Sequence, residues 1–265
     1  MKKYLLSFVR FLGFFCAWLL VVALIPTPES QNPAVWRFWA EAFGFVETLF
    51  ITYLIWLLEK KQIRLHLWGN PGRSLVLGTA AGTVWLALPV ILMLLAGNIR
   101  FVGVNSVPML PLWLGSVLLN VVMQELLVRG YLYQMLRQRH NTAGAVVFTG
   151  ILFTLLHPGA FEAGVIPVLN VFTTSLLMSA ALEYTGSLIA PTVMHFLWNA
   201  VSSMVLGLGN GPSDYPVLMN AVFSGNTLLS GGDCKIEGSL FTLAVNVVLL
   251  LAFALGIRKQ KDRRV

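Results

Sequence analysis

Apolar residues in this chain run in long blocks broken by short polar stretches, and within a block they are continuous rather than alternating. A helix that crosses a bilayer needs about 20 mostly apolar residues. Blocks near 4–25, 36–58, 74–97, 112–137, 143–157, 164–184, 187–207 and 238–257 reach or approach that length, which predicts about eight spans. Backbone polar groups in lipid must be satisfied internally, so only helices or a closed barrel could serve. A barrel needs short alternating strands separated by turns. Runs such as Leu19-Leu-Val-Val-Ala23 and Val247-Val-Leu-Leu-Leu251 do not alternate. The expected fold is therefore all-α: a polytopic integral membrane bundle of about eight helices, one membrane domain covering 1–265. The block at 143–157 is short and ends in His157-Pro158-Gly159, which terminates a helix at membrane depth. Such an end is tolerated only where it lines protein or a cavity.

Composition agrees with this pattern. Hydrophobic residues make up 57% and charged residues 11%, where a soluble domain carries about 25% charged residues. The net charge of +7 could point to nucleic acid, but its distribution does not. Basic residues form small groups between apolar blocks, at 2–10, 60–73, 137–139 and 258–264, and no basic face interleaved with aromatics occurs. With a cytoplasmic N-terminus and eight crossings, all four groups fall inside. Arg37, Arg100 and Lys235 fall outside, and Arg129 lies within a span. That is the positive-inside asymmetry, and it places both termini in the cytoplasm of a bacterial cell. The lipid bilayer is thus one partner and nucleic acid is not.

The remaining segments add little chemistry. Lys2-Lys3 before Tyr4–Ile25 opens like a signal peptide, but the apolar run is long and lacks a small-x-small site, so a retained signal anchor is expected. Cys16 and Cys234 lie far apart and should be unpaired. The stretch 207–237, with Gly209-Asn-Gly-Pro212, reads as an irregular connection. Glu41 and Glu47 lie in the second span, where Glu47 either pairs with a basic group or faces a cavity.

Three polar clusters interrupt the later blocks: Gln124-Glu125-Leu-Leu-Val-Arg129, Phe153-Thr-Leu-Leu-His157 and His195-Phe-Leu-Trp-Asn199. Ionisable groups at membrane depth are expensive and usually face a protein interior or a cavity. Glu125 and Arg129 are four apart on one helical face and can pair, while Gln124 points about 100° away. His195 and Asn199 also share a face. Taken singly, each cluster has a structural reading: a buried ion pair, a capping histidine, interhelical hydrogen-bonding. Together they supply the parts of one active site. A carboxylate and a histidine can activate water, and a second histidine with an amide can donate to the oxyanion that forms. Alternatively Glu125, His157 and His195 could bind a divalent metal such as zinc, although the His-Glu-x-x-His motif is absent.

The order and spacing of these clusters resemble the CPBP family, the intramembrane CAAX-protease and bacteriocin-processing proteins also called Abi. That family's motifs are Glu-Glu-x-x-x-Arg, Phe-x-x-x-His and His-x-x-x-Asn or Asp. They correspond to Gln124-Glu125-x-x-x-Arg129, Phe153-x-x-x-His157 and His195-x-x-x-Asn199, within a family-like core of about 112–207. The resemblance implies a proteolytic hydrolase, glutamate- or metal-dependent, acting on a membrane-associated protein or peptide. It implies that His157 joins Glu125 in activating water, that Arg129 holds the glutamate, and that His195 and Asn199 stabilise the oxyanion. One departure stands out. The family's first glutamate, generally assigned as the base, is Gln124 here, and an amide accepts no proton at neutral pH. Either Glu125 takes that role, or the chain is a natural variant with altered or lost hydrolysis, or the glutamate was replaced deliberately.

Three functional classes follow. The leading one is an intramembrane endopeptidase. The second is a non-hydrolytic protein on the same scaffold, binding a peptide or partner as in bacteriocin immunity, and Gln124 favours it. The third is a transporter, since buried His and Glu also form proton relays. Against it stand the clustering in consecutive helices and the lack of paired broken helices in two halves.

Overall fold

The computed structural model describes residues 2–210 and 214–263. Arg264 of the last basic group and the Gly211-Pro212 end of the glycine-rich run lie outside the described residues. In chain order the elements are α1 (Lys2–Leu24), α2 (Pro33–Leu58), α3 (Pro71–Leu95), strand β1 (Ile99–Val104) and α4 (Leu110–Glu125). A π-helical segment (Leu126–Leu132) carries α4 into α5 (Tyr133–Arg139), followed by α6 (Thr142–Leu155), α7 (Pro158–Ala163) and α8 (Val165–Thr185). Then come α9 (Ile189–Leu197), a second π-helical segment (Trp198–Val205), β2 (Met219–Phe223), α10 (Thr227–Ser230), a 3₁₀ segment (Gly232–Gly238) and α11 (Leu240–Asp262).

The all-α membrane architecture holds; the count of eight spans is not confirmed. Among the described residues six helices are long and apolar enough to cross a bilayer: Tyr4–Leu24, Pro33–Leu58, Pro71–Leu95, Leu110–Arg139, Val165–Thr185 and Gly232–Asp262. The two expected spans that fall short are those bearing the histidines. Helix α6 has 14 residues, about 21 Å at 1.5 Å per residue against a core of about 30 Å. The block at 187–207 is divided between nine α-helical residues and eight π-helical ones.

Helix starts are set by local chemistry. The Asn32 side chain accepts from the Ala34 and Val35 amides with Pro33 at the first turn, and Asn70 accepts from Arg73 with Pro71 in the same place. Ser239 starts α11 by accepting from Phe241.

The chain divides into two compact units, Met1–Leu67 with Met109–Thr149, and Trp68–Pro108 with Gly150–Val265. In the first unit, basic residues from three separate segments gather. Arg10 and Arg139 both pair with Glu59, the latter at 3.2 Å, and Arg137 lies 3.4 Å from His66. Glu41 pairs with Arg37 at 2.8 Å.

In the second unit, α3 and α9 approach closely because Gly78 and Gly82 present no side chains between them. A Cβ on Gly78 would sit 2.8 Å from the Ala190 carbonyl oxygen, and one on Gly82 would sit 3.0 Å from the Met194 Cα. Small residues at four-residue spacing commonly set such contacts in membrane bundles. The core beside this contact contains Trp85, Met93, Met178 and Met194, with the Trp85 and Trp198 rings stacked at 4.2 Å. The stretch read as irregular, 207–237, is largely ordered. Its strand β2 pairs antiparallel with β1, Ile99 opposite Phe223 and Val104 opposite Met219, with an irregularity between Phe101 and Gly103.

Candidate active site

The first motif lies in the first unit, where α4 gives way to the π-helical segment. Glu125 and Arg129 have no exposed side-chain surface, and Arg129 Nη1 lies 3.1 Å from Glu125 Oε1. The predicted i,i+4 pair therefore forms, although Arg129 already stands in the wider turn. Such turns occur as local insertions in α-helices and are frequent at functional sites. Gln124 faces another way, as the 100° step requires. Its Nε2 donates to Asn120 Oδ1 at 2.6 Å, and Asn120 Nδ2 donates to Glu41 Oε2 at 2.8 Å. Through Glu41 and Arg37 that line ends in an ion pair on α2.

The other two motifs meet in the second unit. His157 stands at the junction of α6 and α7, with Nδ1 2.6 Å from the Phe153 carbonyl. A carbonyl can only accept, so Nδ1 carries the proton of the neutral ring and Nε2 carries the lone pair. The Phe153 ring lies 4.4 Å from the His157 ring and packs edge-on to the His195 ring at 5.9 Å. The motif phenylalanine thus fixes both histidines. His195 is buried near the end of α9, and Asn199 falls in the first turn of the second π-helical segment. His157, His195 and Asn199 line one cavity of about 60 Å³, enough for at least one water.

Among the lining residues that the sequence did not single out are Asn170, Trp198 and Glu237. Asn170 Nδ2 donates to the carbonyls of Glu237 at 2.8 Å and Ser239 at 3.0 Å. Two carbonyl partners settle which end of the amide is nitrogen. Its Oδ1 is therefore a buried acceptor, and it has no hydrogen-bond partner among the described residues. The Glu237 carboxylate accepts from the Trp198 indole N–H and from the Asn210 backbone N–H. Asn246 braces the assembly, accepting from Trp85 Nε1 at 2.6 Å and donating to Thr173 Oγ1 at 2.9 Å. A lone asparagine within the apolar run of α8 was a readable signal, since membrane amides usually have partners. Glu237 offered none, being one polar residue in a polar connection.

The expected metal set draws Glu125 from the first unit and His157 and His195 from the second. Within neither unit do three His, Cys, Asp or Glu side chains come together as a ligand set among the described residues.

The fold and this cavity together describe a multi-span helical protein whose two motif histidines and asparagine line one partly open cavity. Comparison narrows the class: residues 106–201 match the Rce1-like family, described as type II CAAX prenyl endopeptidase Rce1-like. All three motifs fall inside that stretch, so this core is similar to the CAAX-protease-type CPBP family, in a chain with helices long and apolar enough to cross a membrane. Glu237 lies beyond it. No curated protein and no solved structure matches the chain.

Proposed function

We propose that this chain is an intramembrane endopeptidase that hydrolyses a peptide bond in a membrane-associated protein or peptide. The observation that carries the reading is the cavity lined by His157, His195 and Asn199, the histidine and amide positions of the family motifs. Water held there meets the lone pair of His157 Nε2, with a carboxylate as its partner in proton transfer. As water attacks the carbonyl carbon, His195 and Asn199 donate to the developing oxyanion in a site with little competing solvent. The charge asymmetry of the loops supports cytoplasmic termini in a bacterial membrane; thiol labelling of a cysteine introduced at 220–230 should then occur from the outside only.

The test is cleavage of labelled membrane peptides by the purified protein beside His157→Ala, Glu125→Ala and Gln124→Glu. The unaltered chain should cleave and His157→Ala should not. The commitment of the Gln124 amide to Asn120 favours a second reading, a peptide-binding protein without hydrolysis. Saturable binding with no cleavage by any of these forms would select it.

A further inference from the structure

We propose that Glu237 is the water-activating carboxylate of this chain, filling the role that the family resemblance gives to position 124. The inference rests on the endopeptidase reading and deepens it. Three observations carry it. The cavity that holds both motif histidines is lined entirely by residues of the second unit, and Glu237 is the one carboxylate among them. Its segment is pinned from three sides: Asn170 holds the Glu237 carbonyl, Thr242 Oγ1 donates to the Ile236 carbonyl at 2.6 Å, and the Ile236 amide donates to the Leu208 carbonyl at 3.0 Å. The carboxylate itself is aimed by the Trp198 indole and the Asn210 amide, and Trp198 is in turn stacked on the buried Trp85. A carboxylate left at the surface for solubility would need none of this.

Two further features point to water and a peptide as its ligands. Asn170 Oδ1 is buried at the cavity without a hydrogen-bond partner among the described residues, and a buried acceptor calls for a donor. A water O–H or a substrate N–H supplies one. Conversely, Gln124, where the family base would stand, is spent as a donor to Asn120. The amide at motif 1 and the carboxylate at the cavity are complementary departures.

The step balances without a co-reactant. Glu237 takes a proton from water as the oxygen bonds to the carbonyl carbon, and the carbonyl electron pair moves onto oxygen, facing His195 and Asn199. The intermediate collapses with cleavage of the C–N bond, and the proton held by Glu237 passes to the leaving nitrogen. A carboxylic acid and an amine result. Glu125 then serves as the partner of Arg129 and not as the base.

The experiment compares the full-length protein with Glu237→Gln, Glu237→Asp and His195→Ala, in detergent, on a panel of internally quenched membrane peptides with and without a prenylated cysteine. Glutamine keeps the shape of the side chain and one acceptor oxygen for these donors, so Glu237→Gln should fold and bind peptide as the unaltered chain does. Its cleavage rate should fall about 10²–10⁴-fold, the usual contribution of a positioned proton acceptor, while Glu237→Asp keeps part of the rate. Cleavage unchanged in Glu237→Gln but lost in His195→Ala overturns the role of Glu237 and leaves the endopeptidase reading standing. No cleavage of any panel peptide by the unaltered chain overturns both.

Discussion

The two polar regions of this protein treat buried charge in opposite ways. In the first unit Glu125 and Arg129 are closed off completely and face each other at 3.1 Å, with Gln124 tied into a separate line through Asn120 to Glu41. In the second unit His157, His195, Asn199 and Glu237 surround a space. A sealed ion pair contributes mainly by not being broken, because removing one partner leaves an uncompensated charge. Groups around a cavity have part of their bonding capacity directed at whatever enters. Burial alone therefore does not mark a reagent. Burial beside a water-sized space does.

That contrast can be broken most sharply at His157. Replacement by alanine should lower peptide cleavage about 10²–10⁴-fold while leaving the folded population intact, as read by activity beside size-exclusion and thermal unfolding in detergent. Arg129→Ala should do the reverse, costing about 3–5 kcal/mol of stability by stranding Glu125; a melting curve within experimental error of the unaltered protein would remove the scaffold assignment. His195→Ala and Asn199→Ala should each reduce turnover about 10²–10³-fold, the range for losing an oxyanion donor, with peptide affinity little changed. The smallest effect is expected at Gln124→Glu. An ionised carboxylate would oppose Asn120 Oδ1, whose partner Nδ2 is already committed to Glu41, and the loss should be about 1 kcal/mol. Cleavage should not rise. A large rise in rate would return the base to motif 1.

Much of this was legible from residue order. Continuous apolar blocks fixed the helical membrane class, and the three spaced clusters marked side chains that, Gln124 apart, the structure does bury or place on a cavity. What escaped has specific causes. Hydropathy counts apolar residues but not their rise, so α6 and the 189–205 stretch passed as spans. The π-helical segments shift the hydrogen-bond register without any residue type announcing it. Strands β1 and β2 pair across more than 100 positions, Asn105 bonding Val217 just beyond them at a separation of 112, which no local pattern reports. Glu237 takes its meaning from Asn170, 67 residues earlier, and from Trp198. Read locally, it is only a polar residue before the last helix.

The π-helical segment Trp198–Val205 has a further consequence, for how this region tolerates change in length as opposed to change in identity. Swapping apolar side chains of similar volume along it leaves the spacing of the turn intact and should be absorbed by neighbours, typically for less than about 1.5 kcal/mol. Removing a single residue is a different kind of event. A wide turn is an α-helix with one residue too many, so the deletion lets the segment relax to ordinary α-geometry. Every side chain after the deletion then swings by about 100° around the axis relative to His195. Leu208, whose amide and carbonyl bond Ser202 and Ile236, would be drawn off its partners, and the segment that ends in Glu237 would lose its anchor. Homologous chains should therefore vary freely in composition here and hardly at all in the number of residues between His195 and Leu208.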